Sequence, residues 1–330
     1  MASRSSASDL AGQAAHSELR LPPLLVIAGA TATGKTGLAI RVATQLVADG
    51  IPTEIISADS RQVYRGLDIG TAKATLEEQA GIPHHGLDLV DPDEPFSLAD
   101  FAAHARDVLP EIDARGATAI LVGGTGLYLR AIARGIATDA LPADPDVRAA
   151  IEEQLATEGL DLLVARLMKL APDRAVAVDR RNPRRVVRAL EIAELQGDRP
   201  LPTPRGYAAP VAWIGLRLDH PAHRDWIANR AADQFTGGLI DEARSLRDRY
   251  DPSLPAFSAI GYREAWSVID GQATIEAAIA ADAARNVAFA KRQRTWFRSE
   301  PGIEWLDATD QRAAEAAALA RARTLAITAR

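Results

Sequence analysis

The chain has 330 residues, of which 47% are hydrophobic and 25% charged, and its formal net charge is −6 at pH 7. This composition is typical of a soluble globular protein, and no apolar run approaches the length of a membrane span. The absence of cysteine excludes disulfides, iron–sulfur clusters and cysteine-ligated zinc, and the six histidines show no metal-ligand spacing. The acidic balance argues against a nucleic-acid binder that uses its whole surface, but it does not exclude local basic patches.

The N-terminal segment differs in composition from the rest of the chain. It is rich in serine and alanine and lacks the apolar central region that a secretory signal requires. Asp9 and Glu18 argue against a transit peptide, which would be poor in acids. We therefore predict a disordered extension over residues 1–20, ordered structure from residue 21 and a cytoplasmic location.

A phosphate-binding loop of the form G-x-x-x-x-G-K-[ST] is the strongest motif in the chain. It lies between a predicted buried strand at residues 24–28 and a predicted helix at residues 37–47. Inward-pointing backbone N–H groups, the helix dipole and Lys35 all favour bound phosphate, and the Thr36 hydroxyl suits a magnesium ion or a phosphate oxygen. The predicted loop consists of Gly29, Ala30, Thr31, Ala32, Thr33, Gly34, Lys35 and Thr36.

Two further apolar runs, at residues 53–57 and 117–122, predict strands that alternate with helices. This alternation is typical of an α/β fold with a parallel sheet flanked by helices. Ligands gather at the carboxyl ends of the strands in such sheets, so we expect Asp59 near the phosphate loop. Its carboxylate fits a general base or an acid beside a metal ion, and the alternative is a helix N-cap, for which Ser60 competes.

Two other segments belong to the same predicted edge of the sheet. The run Gly123-Gly124-Thr125-Gly126 follows the third predicted strand, and glycines at that place would allow a ligand to approach the backbone closely. Lys73 lies in a polar loop, and its side chain could face either phosphate or solvent.

A change in pattern near residue 138 predicts a helical insertion. Apolar residues at helical spacing run from there to a proline-rich linker, so we assign residues 138–207 to the insertion. The core would then consist of residues 21–137 and 208–330, and the second part would contain one more strand and several long helices.

Two basic segments stand out against the acidic total. Five arginines lie between Arg180 and Arg188, and they could form either a solvated helix face or contacts to RNA phosphates. The helix predicted over residues 275–298 interleaves basic residues with Phe289, Trp296 and Phe297, a combination that suits a single-stranded RNA loop. We expect the last two aromatics to pack in the core and some of the basic residues to reach RNA.

The chain contains, in order, the motifs G-A-T-A-T-G-K-T, S-A-D-S-R-Q-V-Y-R-G-L-D-I-G-T-A-K, D-L-V-D-P and L-V-G-G-T-G-L-Y. They are followed by L-P-A-D-P-D-V-R, R-R-V-V-R-A-L-E, A-I-G-Y-R-E and K-R-Q-R-T-W-F-R. In this set and order the sequence resembles the tRNA dimethylallyltransferase (tRNA isopentenyltransferase) family. The resemblance covers the chain from about Leu24 to about Trp305.

The resemblance implies a fold, a reaction and its partners. The fold would be a P-loop NTPase-like core with a helical insertion. The reaction would transfer a dimethylallyl group from dimethylallyl diphosphate to the N6 amine of the adenosine 3′ of the anticodon, in tRNAs that read codons beginning with U, with release of diphosphate. Magnesium would be the cofactor, and we expect a monomer without a membrane partner.

The chemistry of such a reaction agrees with the residues present. Breaking an allylic C–O bond places negative charge on the diphosphate, which preorganised cations and N–H groups stabilise, and the attacking amine becomes acidic as it bonds to carbon. By resemblance, Asp59 is the base, Thr31 lies beside the reacting centre, Lys35 acts on the diphosphate and Thr36 on the metal. The residues expected to contact tRNA are Asp59, Ser60, Arg61, Gln62, Thr125, Arg148, Arg184, Arg185, Arg188, Gly261, Tyr262, Arg263, Lys291, Arg292, Arg294 and Arg298.

Other functions remain open at this point. A small-molecule kinase also has an acid after its second strand, and adenylate isopentenyltransferase shares the chemistry, but neither needs the basic clusters around Arg184 and Arg292. A non-catalytic or ATP-driven RNA-binding module would bind RNA or hydrolyse ATP without using an allylic diphosphate. For the transferase, we expect the adenosine to leave the anticodon stack and enter a channel between core and insertion.

Overall fold

The computed structural model describes residues 20–328, so the predicted extension lies outside the described residues except at residue 20. A parallel sheet forms the centre of the fold, as predicted. Its strands are β1 (Leu24–Gly29), β2 (Thr53–Ser57), β3 (His84–His85), β4 (Thr118–Gly123), β5 (Val211–Arg217) and β6 (Glu304–Asp307). Their order across the sheet is β3-β2-β4-β1-β5-β6, with every neighbouring pair parallel.

The strands that the sequence predicts occupy the middle of this sheet. β1, β2 and β4 are buried along their whole length, because helices cover both faces of the sheet. The edge strands β3 and β6 are missed by the sequence pattern, since they contain two and four residues and have no fully buried run.

Helices fill most of the remaining chain, and the predicted helices are all present. Within residues 20–328, none of them has the length and hydropathy that a membrane span requires. In chain order they are α1 (Lys35–Ala48), α2 (Leu98–Ala114), α3 (Gly126–Ala133), α4 (Pro145–Glu158), α5 (Leu160–Leu170), α6 (Pro172–Ala177), α7 (Pro183–Gln196), α8 (His220–Thr236), α9 (Leu239–Arg247), α10 (Tyr262–Ile269), α11 (Ile275–Phe297) and α12 (Gln311–Thr328).

Alternate residues of the central strand serve two separate cores. Ile27 of β1 packs in the cluster formed with Leu38 of α1 and Leu319 of α12. Val26, its neighbour in the strand, belongs to the opposite cluster, which includes Phe101 of α2. This arrangement follows from the period of two in a strand, and it fixes the phosphate loop to a strand that is immobilised on both faces.

Helices α4 to α7 have a hydrophobic core of their own. Leu163, Leu167 and Leu190 are completely buried in a cluster whose residues all come from this part of the chain. The segment predicted as an insertion therefore folds around its own apolar contacts, while the chain on either side of it completes the sheet.

A buried carboxylate, Glu191 of α7, organises the polar side of the insertion. It accepts hydrogen bonds from Arg148, from Arg188 and from the backbone N–H of Asp144, and its side chain is completely buried. Burial acts to raise the pKa of Glu191, but the hydrogen bonds from Arg188, Asp144 and Arg148 outweigh it and hold that pKa below its usual value. The carboxylate is thus the fixed centre to which both arginines are tied.

We predict that Glu191→Gln lowers the free energy of unfolding by about 1–3 kcal/mol, because the neutral amide loses charge-assisted hydrogen bonds while the two arginines can turn toward solvent. Urea unfolding followed by circular dichroism measures the change. Glu152→Gln, at an exposed site on α4, is the matched control and should change the unfolding free energy by less than about 0.5 kcal/mol. Equal stability of the two variants would show that the Glu191 contacts contribute nothing.

Candidate active site

The phosphate loop connects β1 directly to the first turn of α1. Three of its residues have positive φ: Gly29 (151°), Ala32 (55°) and Gly34 (77°). A Cβ atom on Gly29 would lie 2.7 Å from the carbonyl oxygen of Leu216, so only glycine fits there. The loop is also closed from within, because the Thr33 hydroxyl donates to the carbonyl of Ala30 over 2.9 Å.

Side chains from distant helices bind all three polar groups of Thr31. Its backbone N–H donates to Oε1 of Gln293 (2.7 Å), and its carbonyl oxygen bonds Nε2 of His223 (2.8 Å). Nη1 of Arg230 donates to its hydroxyl oxygen (2.9 Å). Helices α8 and α11 therefore fix the residue at the tip of the loop.

Lys35 supplies the positive charge of the loop. Its Nζ donates to the carbonyl of Ala30 over 2.6 Å and lies in a cavity of about 230 Å³. Burial and the nearby Arg230 lower its pKa to about 8, although the Asp59 carboxylate acts in the opposite direction. A site with two close cations and little solvent is suited to an anion carrying more than one charge.

Asp59 follows β2 and lies at the carboxyl edge of the sheet, as predicted. Its Oδ1 accepts the backbone N–H of Arg61 over 2.8 Å and so stabilises a turn, whereas the alternative role as a helix N-cap is wrong because no helix begins there. The next residue, Ser60, donates its backbone N–H to Oγ1 of Thr125, which joins the ends of β2 and β4. Asp59 is thereby held in place from both strands.

The glycines after β4 provide room for protein neighbours. A Cβ atom on Gly123 would lie 2.1 Å from the carbonyl oxygen of Ala58, and one on Gly124 would lie 2.4 Å from Nε2 of Gln293. A side chain at either position would therefore collide with the residue after β2 or with α11. Both glycines also line the phosphate pocket, and the close approach of a ligand to their backbone stays a prediction.

A second cavity, of about 330 Å³, adjoins the phosphate pocket. The two cavities share Thr31, Asp59, Thr71, Arg230 and Phe289, so they form one cleft with two compartments. The wider compartment is also lined by Ser60, Arg61, Gly70, Thr125, Ser258, Ala259, Ile260, Arg285, Asn286, Ala288 and Arg292.

Comparison with known proteins shows the family of this chain. A family model described as IPP transferase matches residues 62–300. The chain belongs to the IPP transferase family. It is 44% identical over 294 residues to a tRNA dimethylallyltransferase of Roseiflexus sp. (strain RS-1), in an alignment that covers 87% of this chain and 94% of that protein.

Solved structures of similar proteins have the same fold. A full-length tRNA isopentenylpyrophosphate transferase from Bacillus halodurans superposes with a TM-score of 0.64 and 38% identity, covering 92% of this chain and 98% of its own. A eukaryotic dimethylallyltransferase acting on tRNA gives a TM-score of 0.69 and 26% identity, covering 88% of this chain and 74% of its own. These matches support the P-loop-like α/β architecture predicted from the sequence.

For this member of the IPP transferase family, the predicted tRNA-contacting residues fall into separate groups. Lys291 on α11, Arg263 on α10 and Arg298 directly after α11 are exposed. Arg294 is partly buried and lies against His223. Those that line the cleft are Asp59, Ser60, Arg61, Gln62, Thr125 and Arg292.

The A-I-G-Y-R motif contributes mainly to packing. Tyr262 has no exposed surface, and its hydroxyl donates to Oε1 of Glu242 over 2.7 Å. Its predicted contact with tRNA is therefore corrected, because the side chain has no surface to offer a ligand. The Glu242 carboxylate in turn accepts the backbone N–H groups of Asp68, Ile69 and Gly70, which shapes the wall of the cleft.

Gln62 and Gly261 also have structural contacts. Gln62 is 8% exposed, and its amide donates to the carbonyl oxygens of Thr71 and Ala72. The backbone N–H of Gly261 donates to the buried carboxylate of Glu264, with φ at 113°. Gln62 thus holds the loop at Thr71 while it lines the phosphate pocket, and Gly261 caps the start of α10. A contact with tRNA stays a prediction for both residues.

The predicted insertion contributes no residue to either compartment of the cleft, within the part of the chain that the structure describes. The expected channel between core and insertion is therefore corrected: the walls of both compartments come from the core alone, including its helices α8 and α11. Arg148 and Arg188 are tied to Glu191, whereas Arg184 and Arg185 are exposed. A tRNA contact of these four arginines stays a prediction.

Lys73 faces neither phosphate nor solvent. Its side chain is 6% exposed, and its Nζ donates to the carboxylates of Asp68 (2.5 Å) and Asp88 (2.6 Å) and to the carbonyl of Tyr64. The lysine therefore joins two loops beside the cleft.

Arg230, Gln293 and His223 belong to the site but are not predicted by the sequence patterns. The signal for Arg230 was available, because it lies three residues after Ile227 and one before Ala231, both buried positions of α8. A charged residue on the buried side of an amphipathic helix needs a partner, which marks it as a candidate for a site.

Magnesium is compatible with the donors of the phosphate pocket. Thr36 lines the pocket together with Asp59, and both are oxygen donors of the kind that magnesium accepts. No cluster of three or more His, Asp or Glu side chains suitable for a metal occurs in residues 20–328. A magnesium ion here would accordingly depend on substrate phosphates and water for most of its ligands.

We predict that affinity for inorganic diphosphate falls as pH rises through about 8, because Lys35 loses its charge there. Titration calorimetry between pH 6.5 and 9 measures the dissociation constant. Lys35→Met, in the same buffers, should bind more weakly and lack this inflection, and it corrects for ionisation of the ligand itself. Parallel pH profiles of the two proteins would contradict the assignment.

Proposed function

We propose that this protein is a tRNA dimethylallyltransferase, which transfers a dimethylallyl group from dimethylallyl diphosphate to the N6 amine of the adenosine 3′ of the anticodon. The substrate tRNAs would be those that read codons beginning with U. The single observation that carries the proposal is that Thr31 and Asp59 line both compartments of one cleft. An anion pocket and a larger pocket thus meet at a carboxylate.

The smaller compartment suits the diphosphate. Backbone N–H groups of the loop, Lys35 and Arg230 offer positive charge that is already in place before reaction. Because the C–O bond of an allylic diphosphate breaks with charge developing on the leaving group, such preorganised donors stabilise the transition state. Magnesium, held through Thr36 and the diphosphate itself, would add further charge neutralisation.

The wider compartment suits an extruded adenine. Phe289 provides an aromatic surface in its wall, and Arg292 lies over that ring with its guanidinium carbon 5.6 Å from the centroid. Bases that leave a stacked RNA loop are commonly held by aromatic side chains and arginine planes. The adenine amine would then lie next to Asp59, on the boundary with the diphosphate.

The reaction balances with these groups alone. The bond between the allylic carbon and the diphosphate oxygen breaks, a bond from N6 to that carbon forms, and diphosphate leaves with both electrons of the broken bond. N6 becomes acidic as the new bond forms, and the Asp59 carboxylate takes its proton. Arg230 and Lys35 stay cationic throughout and bind the leaving group.

The alternatives are weaker on the present observations. The relatives at about 40% identity or more act, by their names, on tRNA, and exposed basic residues on α11 extend outward from the cleft. A small-molecule kinase or an adenylate isopentenyltransferase has no need of such a surface. An ATP-driven RNA-binding module would have no need of a second compartment at the catalytic carboxylate.

Incubation with dimethylallyl diphosphate, magnesium and an unmodified tRNA, followed by nuclease digestion and mass analysis, tests the proposal. We expect N6-dimethylallyladenosine in the wild-type reaction. Asp59→Asn should lower the single-turnover rate about 10²- to 10⁴-fold without loss of tRNA affinity, because the amide still accepts the Arg61 N–H but takes up no proton. Hydrolysis of ATP with no use of the allylic diphosphate would refute the proposal.

We predict that Arg292→Ala weakens binding of an anticodon stem-loop and flattens the dependence of its affinity on salt, since one cationic contact is removed. Fluorescence anisotropy at several salt concentrations measures both quantities. Arg312→Ala, an exposed arginine on α12, is the control and should leave both unchanged. Identical salt slopes for Arg292→Ala and the wild type would exclude a phosphate contact at Arg292.

A further inference from the structure

His223 is a buried side chain that the proposed reaction does not use. It is 2% exposed, lies on α8 and contacts the phosphate loop through Nε2, 2.8 Å from the carbonyl oxygen of Thr31. On its other side, Nδ1 lies 2.9 Å from Nη1 of Arg294. The imidazole thus connects the loop to α11, the helix that bears the exposed basic residues.

The two contacts determine which nitrogen of the His223 ring bears the proton. A guanidinium has only donors, so Nδ1 of His223 must accept from Arg294 and bear no proton. A carbonyl oxygen only accepts, so Nε2 must bear the proton and donate to Thr31. The geometry therefore requires one tautomer of a neutral imidazole, with Arg294 as the group that selects it.

We propose that His223 and Arg294 are positioning residues for the transfer reaction: Arg294 fixes the Nε2–H tautomer of His223, and His223 holds Thr31 in the geometry that the reaction needs. This inference rests on the proposed function, because that function is what places Thr31 beside the reacting centre. Arg294 accordingly acts on the phosphate loop through the histidine, which differs from the tRNA contact predicted for it from the sequence.

The charges around His223 agree with a neutral ring. Burial lowers its pKa, and so do Arg294, Lys35 and His220, while the hydrogen bond to Thr31 acts in the opposite direction. Protonation at Nδ1 would place a donor against the Arg294 guanidinium and a third cation near Lys35. We therefore expect the contact to break as pH falls through the lowered pKa of His223, below the ordinary value of a histidine.

The other contacts of Thr31 explain why its orientation depends on the hydrogen bond from His223. Gln293 holds the N–H of Thr31, and Arg230 holds its hydroxyl, so only the carbonyl is left for His223 to orient. Loss of this contact allows the peptide between Thr31 and Ala32 to rotate, and Ala32 already has a positive φ of 55°. Small displacements of a group at a reacting centre lower rates severely.

The tautomer is tested without any substrate. In protein labelled with ¹⁵N-histidine, two-bond ¹H–¹⁵N spectra at pH 7.5 should show an unprotonated Nδ1 and a protonated Nε2 for His223, assigned by its absence in His223→Gln. Arg294→Met should convert this signal to an exchanging mixture of tautomers. An Nδ1–H tautomer or an imidazolium in the wild type would overturn the proposal whether or not the protein transfers dimethylallyl groups.

The positioning role is tested by single-turnover transfer to an anticodon stem-loop RNA. Arg294→Met and His223→Leu should each lower the rate constant by about 10- to 100-fold, while the dissociation constant of the RNA stays within about twofold. His223→Gln, whose amide can still donate to Thr31, should regain most of the rate and lose the acid inflection of the wild-type pH profile.

Arg224→Met is the matched control, because Arg224 is exposed on α8 next to His223 and its loss removes the same charge. It should keep the wild-type rate. If Arg294→Met instead weakens RNA binding with an unchanged rate constant, Arg294 is a tRNA contact and the proposal fails. A rate for His223→Leu equal to that of the wild type would exclude His223 as a positioning residue.

Discussion

The structure depends on how the tip of the phosphate loop is fixed by the second half of the chain. In a free loop, the polar groups of Thr31 would turn toward solvent or toward the bound anion. Here Gln293, Arg230 and His223 bind its N–H, its hydroxyl and its carbonyl. A loop fixed in this way offers its remaining N–H groups and Lys35 without reorganisation, which is the condition under which electrostatic stabilisation of a leaving group is effective.

The same constraint explains why α11 belongs to the site. Gln293 bonds both the phosphate loop and the carbonyl of Gly124, so the helix connects the ends of β1 and β4. Phe297, one turn further along the same helix, is 1% exposed in the core beneath the sheet. The exposed Lys291 and Arg292 precede Gln293 directly, and the exposed Arg298 follows Phe297. RNA bound to these residues would therefore contact a rigid element that already holds the loop.

Sequence reasoning located the local features of the site and missed the distant ones. Thr31, Lys35 and Asp59 could be predicted because a strand followed by a loop is a local pattern, and parallel strands bring their carboxyl ends together. Arg230 and Gln293 lie 199 and 262 residues from Thr31, on helices whose apolar spacing predicts only burial. The edge strands β3 and β6 were missed for a related reason, since their pairing is supplied by the neighbouring strand and the apolar pattern is too short to reveal it.

Forming the wider compartment costs folding free energy, because ionisable side chains are buried beneath it. Glu264 is 6% exposed and pairs with Arg285, which lines the compartment, while Asp282 beside them is completely buried. Burial raises the pKa of Asp282 to about 6, although hydrogen bonding from Asn286 and the charges of Arg230 and Arg285 oppose that shift. In the unfolded chain the carboxyl of Asp282 has the lower, ordinary pKa of an aspartate. The free energy of unfolding therefore decreases as pH rises from that ordinary pKa to about 6, and the loss stays constant at higher pH. A carboxylate held at such a cost behind Arg230 provides a countercharge for the cation that faces the diphosphate, and it lets two positive side chains remain close together before any anion has bound.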